Sequence, residues 1–133
     1  MNKIQVIDIK KILDDRGNLS VIESNSDIPF EIKRTYWIYD VPGGEVRGGH
    51  AFIEQKELII ALSGSFDVYL NDGNEEVTYS LNRAYKGLYV PNNVWRQMRN
   101  FSTNSVALVL SSTDFSETDY IYDINEFLKL KND

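Results

Sequence analysis

The segment Phe66-Asp67-Val68-Tyr69-Leu70-Asn71-Asp72-Gly73-Asn74-Glu75-Glu76-Val77-Thr78-Tyr79-Ser80-Leu81 decides the fold class. Two runs carry an apolar residue at every second position: Phe66, Val68 and Leu70 in the first, Val77, Tyr79 and Leu81 in the second. Successive side chains of a strand point to opposite faces, so each run presents one apolar face. Asn71-Asp72-Gly73-Asn74 between them supplies the residue types that reverse a chain. The spacing predicts a β-hairpin with one buried face.

The same signature extends outward. Short runs rich in Val, Ile, Tyr, Phe and Trp predict further strands at 5–10, 19–23, 33–39, 49–53, 57–62, 87–90, 95–100 and 106–111, with the hairpin arms at 65–70 and 76–81. Asp15-Arg16-Gly17, Pro42-Gly43-Gly44, Ser63-Gly64-Ser65 and Pro91-Asn92-Asn93 punctuate them. A helical pattern emerges only near the end: Asp123 as N-cap, Glu126 as capping-box acid, and Ile124, Phe127 and Leu128 on one face. The expected class is all-β, a double-sheet roll that hides its edges, with a short C-terminal helix.

Composition bounds the rest. The chain has 133 residues, 42% hydrophobic and 26% charged, and no linker-like or repeated stretch, so a single domain over 1–133 is expected. Fourteen basic against 20 acidic residues give a net charge of −6, which disfavours a nucleic-acid partner. The absence of cysteine removes disulfides, thiolate catalysis and Cys-ligated metals. The N-terminal residues show neither a signal sequence nor a membrane span, so a cytoplasmic location is expected. The single histidine, His50, closes every mechanism that needs two histidines from one subunit.

His50 lies in Arg47-Gly48-Gly49-His50-Ala51-Phe52, followed by Glu57 and Gly64. The pattern resembles the first motif of the cupin superfamily, a glycine, two histidines, a glutamate and a closing glycine, at His50, Glu57 and Gly64, with Phe52 at the second histidine. The second cupin motif is matched at Gly87, Pro91 and Asn100, with Arg96 at its histidine. Phenylalanine cannot coordinate a metal and a guanidinium brings positive charge, so no metal and no cofactor are expected.

A closer likeness spans about residues 4–128. Asp15-Arg16-Gly17-x-Leu19, Ile28-Pro29-Phe30-x-Ile32-Lys33-Arg34-x-Tyr36, Arg47-Gly48-x-His50-Ala51, Gly87-Leu88-Tyr89-Val90, Val94-Trp95 and Glu117-Thr118-Asp119-Tyr120-Ile121 together resemble the sugar 3,4-ketoisomerases, the WxcM-like C-terminal domains. The departures are Trp37, Phe52 and Arg96, where that family typically has a tyrosine and two histidines.

The resemblance implies a cupin jelly roll and a metal-free isomerase of nucleotide-sugar biosynthesis, in the supply of lipopolysaccharide or S-layer glycans. Its reaction moves the keto group of dTDP-4-keto-6-deoxyglucose from C4 to C3 through an enediol, with His50 as base. It also implies a homodimer that exchanges N-terminal strands. Two other functions stay open, a nucleotide-sugar epimerase of the same fold and a non-catalytic nucleotide-sugar binding module.

The remaining candidates follow from side-chain chemistry. Tyr36, Arg96 and Arg47 are donors able to stabilise or protonate the oxygen during enolisation. Arg16, Arg34, Arg47 and Arg96 are candidate anchors for phosphate or carboxylate oxygens, which the arginine fork matches. Trp37, Phe52 and Trp95 read either as a wall for base or sugar or as ordinary core. Glu57 either orients His50, binds a substrate hydroxyl or forms an exposed salt bridge, and His50 itself reads as base or as a packed strand residue. The acidic run 114–119 reads as a surface loop.

Overall fold

A computed structural model describes residues 3–132; residues 1, 2 and 133 of the expected domain lie outside the described residues. The strands are β1 (Gln5–Asp8), β2 (Lys10–Ile12), β3 (Leu19–Val21), β4 (Arg34–Tyr39), β5 (Arg47–Phe52) and β6 (Glu57–Ser63). They continue as β7 (Phe66–Asn71), β8 (Glu76–Leu81), β9 (Lys86–Val90), β10 (Trp95–Arg99), β11 (Val106–Ser111) and β12 (Tyr120–Ile121). A helix, α1 (Ile124–Asn132), ends the described chain.

Two five-stranded sheets, ordered β1-β9-β6-β11-β4 and β12-β5-β10-β7-β8, face each other, and β2 and β3 form a separate exposed ribbon. The body is an antiparallel double-sheet roll with one short helix, as expected. The β7–β8 hairpin forms in the expected register, Phe66 opposite Leu81 and Leu70 opposite Val77. Phe66, Val68 and Leu70 are buried between the sheets with Ile59, Leu88, Met98 and Val109. Each such side chain withdrawn from water contributes about 1.5–3 kcal/mol.

A second apolar cluster, containing Ile28, Phe30, Leu58, Ile60 and Leu110, lies on the other face of the first sheet. At the far end, Asp123 caps α1 by accepting the N–H groups of Asn125 (2.8 Å) and Glu126 (3.3 Å). Phe127 is buried against Trp95, Ala51 and Ile121, with Ile124 and Leu128 packed beside it. The expected strand 5–10 divides at Ile9, which lies between β1 and β2 and donates its N–H to the carbonyl of Tyr85 (2.8 Å), one position beyond the last β1–β9 pair. Within this chain β1 pairs with its own β9, Gln5 opposite Tyr89.

Candidate active site

β5 and β10 run side by side with His50 opposite Arg96, and β4 and β6 face them from the other sheet. Inward positions of these four strands therefore meet at one end of the roll. The cavity there measures about 280 Å³, and Arg34, Tyr36, Arg47, His50, Arg96 and Tyr120 are among its lining residues.

A charged cluster forms its floor. Arg96, 1% exposed, donates from Nε to Glu57 Oε1 (2.8 Å) and from Nη2 to Glu57 Oε2 (2.9 Å). The Tyr36 hydroxyl donates to Glu57 Oε2 (2.6 Å) and accepts from Arg96 Nη2 (2.7 Å). Gln55 Nε2 adds a further donor to Glu57 Oε2 (3.1 Å). A bidentate arginine–carboxylate pair with extra donors survives burial because both carboxylate oxygens accept from Arg96 and Oε2 accepts from Tyr36 and Gln55 as well.

The cluster defines protonation states. Burial works against the Glu57 charge, but the Arg96 guanidinium and the hydrogen bonds from Arg96 and Tyr36 outweigh it and hold the carboxyl below its usual range. Burial pushes the Tyr36 phenol up, so it remains a proton-bearing hydroxyl. Burial also opposes the charge on Arg96, and Glu57 with Tyr36 overcomes that and raises its pKa.

His50 stands differently. Burial first, then the positive charges of Arg96 and Arg34 against a compensating Glu57, pull its imidazole from 6.5 down to about 3. It is neutral at neutral pH. Its ring packs edge-on against Phe52 (4.7 Å between centroids) and near Tyr120 (5.0 Å), and its Nε2 is buried with no hydrogen-bond partner among the described residues.

Gly48 makes room for this arrangement. Its φ of +71° disfavours a side chain, and a Cβ there would lie 2.1 Å from Arg96 Nη1. That nitrogen instead faces the Gly48 carbonyl at 3.4 Å.

Several sequence expectations change. Glu57 neither orients His50 through a hydrogen bond nor forms an exposed salt bridge; its oxygens serve Arg96, Tyr36 and Gln55. Trp95 does not line the cavity. Because Arg96 points between the sheets, its strand neighbour must point the other way, and Trp95, 6% exposed, packs under α1 on Phe127. Arg16 sits at the turn of the β2–β3 ribbon, 90% exposed and paired with Asp14 (2.9 Å), so it does not line the cavity of its own chain.

Phe52 is buried behind His50 instead of lining the opening, whereas Trp37 and Arg47 do line it. The acidic run contributes a structural group: Asp119 accepts the backbone N–H groups of Glu54 (2.7 Å) and Gln55 (3.1 Å).

Gln55 and Tyr120 carry no functional signal of their own in the sequence: Gln55 lies just before β6, two positions ahead of the Glu57 it serves, and Tyr120 belongs to the Glu117-Thr118-Asp119-Tyr120-Ile121 motif.

The positions equivalent to the cupin metal ligands do not fit a metal. Phe52 offers no donor atom, and Arg96 occupies the carboxylate that a cation would need.

Comparison with known proteins sets this site in context. A family model described as "FdtA: WxcM-like, C-terminal" matches residues 2–132. The chain belongs to this family. Among its relatives, the TDP-4-oxo-6-deoxy-alpha-D-glucose-3,4-oxoisomerase of Aneurinibacillus thermoaerophilus is 45% identical over 125 residues, covering 94% of this chain and 90% of that protein. A 3,4-ketoisomerase from Helicobacter canadensis superposes with a TM-score of 0.95 at 41% identity over 98% of both chains. The 3,4-ketoisomerase QdtA from Thermoanaerobacterium thermosaccharolyticum, solved as a histidine-to-asparagine variant in complex with TDP-4-keto-6-deoxyglucose, gives 0.96 at 36% identity over 99% of this chain and 96% of that one. Fold and family membership thus agree across nearly the whole length of this WxcM-like chain.

Proposed function

We propose that the protein is a sugar 3,4-ketoisomerase acting on a dTDP-linked 4-keto-6-deoxyhexose, with no cofactor. The observation that carries this reading is His50: a neutral imidazole whose Nε2 is buried and partnerless in the cavity of a chain belonging to the WxcM-like family. Neutral imidazole is the form that accepts a proton.

The reaction is redox-neutral. His50 takes the proton from C3, whose C–H electrons form a C3–C4 double bond as the carbonyl π pair moves onto O4. The O3 hydroxyl proton then passes to O4, C3 becomes the carbonyl, and C4 receives the proton from His50. The mouth suits a charged nucleotide, with Arg47 exposed beside Trp37.

The test is incubation with TDP-4-keto-6-deoxyglucose in deuterated buffer. Deuterium at C3 or C4 and a 3-keto product are expected, and His50→Asn should reduce turnover at least 100-fold while nucleotide binding survives. A product with inverted configuration and its carbonyl still at C4 identifies an epimerase. Binding without exchange identifies a non-catalytic module; either result overturns the proposal.

The same reading includes a single domain, a cytoplasmic location and a homodimer. No helix among the described residues is long and apolar enough to cross a membrane. Supporting the dimer, the edge strand β4 leaves Trp37 and Tyr39 exposed beside Leu62, and Trp37 also borders the cavity. Exchange of N-terminal strands would place the partner's β1 against β9 in the register that β1 adopts here.

A further inference from the structure

Among the described residues, two buried side-chain polar atoms have no hydrogen-bond partner: His50 Nε2 and Arg34 Nε. Both residues line the same cavity. One atom is a base and the other is a donor, which is the complement that enolisation requires. A buried donor left unpaired costs free energy, so its place in a folded site calls for a ligand atom.

Arg34 is also held with unusual care. Its Nη2 donates to Gln55 Oε1 (2.9 Å) and approaches the Tyr120 hydroxyl (3.5 Å), and its guanidinium lies 5.1 Å from the Tyr36 ring and 5.4 Å from the Phe115 ring. Gln55 cannot rotate its amide without loss. Its Oε1 accepts from Arg34 and from the Thr113 hydroxyl (3.0 Å), while its Nε2 donates to Glu57 (3.1 Å).

Tyr36 and Arg96, the donors expected from sequence, are already committed to Glu57 and to each other. Glu57 cancels the charge of Arg96, whereas no carboxylate pairs with Arg34 among the described residues. Arg47 at the exposed mouth is the better match for pyrophosphate, whereas the Arg34 guanidinium lies deeper, between the Tyr36 and Phe115 rings.

We infer that Arg34 is a catalytic residue that donates from Nε to O4 of the sugar as that oxygen becomes an enolate, with Gln55 as the positioning residue that aims it. This rests on the ketoisomerase reading above. As the C3–H bond breaks toward His50, its electron pair forms the C3–C4 double bond, the C4–O4 π pair moves onto O4 and negative charge gathers there. Arg34 stabilises that charge by a hydrogen bond and transfers no proton, since a guanidinium keeps its protons.

The test uses the full chain, with TDP binding measured by calorimetry and solvent deuterium exchange and turnover measured on TDP-4-keto-6-deoxyglucose. Arg34→Met should bind TDP within about threefold of wild type yet lose about 100-fold or more in exchange and turnover, the usual consequence of removing one enolate or oxyanion donor. Arg34→Lys should regain part of the loss, and Gln55→Met should lower turnover roughly 10-fold with little change in TDP affinity. In the double variant Gln55→Met should add nothing to Arg34→Met, because it acts through Arg34.

The inference is overturned if Arg34→Met turns over like wild type, if TDP affinity falls in parallel with turnover, or if the two losses multiply. Should Arg34→Met fail to fold by circular dichroism, Arg34→Lys and Gln55→Met decide the matter: wild-type turnover in both overturns it. Wild-type protein that exchanges no proton at C3 or C4 instead defeats the ketoisomerase reading itself, a result separable from every other.

Discussion

The environment of His50, the base proposed above, keeps its imidazole uncharged. Its pKa of about 3, against an ordinary 6.5, means that the unfolded chain binds a proton below pH 6.5 that the folded chain declines until near pH 3. The folded state therefore loses stability as pH falls through this window, by up to about 1.4 kcal/mol per pH unit. Glu57 adds to the loss only below its ordinary 4.5, since its own pKa is lowered. Between pH 6.5 and 4.5 the slope should belong to His50, and His50→Asn should flatten it in urea titrations. Because the chain has one histidine, its imidazole resonance is unambiguous by NMR and should not titrate between pH 8 and 5. A midpoint near 6.5 in the folded protein would contradict the burial and charge pattern seen in the cavity.

At the scale of elements, β10 links core and site by presenting Arg96 inward and Trp95 outward. The outward side depends on α1, whose Phe127 lies 6.1 Å from the Trp95 ring. Phe127→Ala should cost about 3–5 kcal/mol, read from the denaturation midpoint, because it opens a cavity under the helix. In a Trp37→Phe background the emission of Trp95 should also move to the red as water reaches it; unchanged stability and emission would show that the helix is dispensable. This two-sidedness explains what the sequence could tell. Alternation made the β7–β8 hairpin legible, and the cap and apolar face made α1 legible. The same alternation excludes Trp95 and Arg96 from sharing one site and decides between the two readings of Trp95 in favour of core. Tyr120 was beyond local reasoning because its bond to Arg34 joins positions 86 apart, and β12 is only two residues long. Glu57 was recognisable as a site residue, but its partners come from β4 and β10, which no spacing in the sequence brings together.

Over the whole molecule, a net charge of −6 coexists with Arg34 and Arg47 around one cavity in which Arg96 is neutralised by Glu57, so the chain repels polyanions in bulk while concentrating positive potential where a nucleotide-sugar would enter. The opposite kind of surface lies next to it. Trp37, 59% exposed, and its neighbours Tyr39, Leu62 and Leu108 border an apolar depression of about 600 Å³. Such a patch at a sheet edge invites a second chain, because an uncovered edge exposes unpaired backbone groups. A stable contact needs roughly 800 Å² from each partner, more than these four side chains supply, so the exposed Ile12, Leu13 and Leu19 around the β2–β3 ribbon are natural contributors. The protein should therefore elute from size exclusion with a light-scattering mass of two chains at micromolar concentration. Tyr39→Glu combined with Leu62→Glu should shift it toward one chain, since two buried charges without partners oppose association. A wild-type mass of one chain would reject dimerisation, and a double variant that stays at two chains would place the contact away from β4.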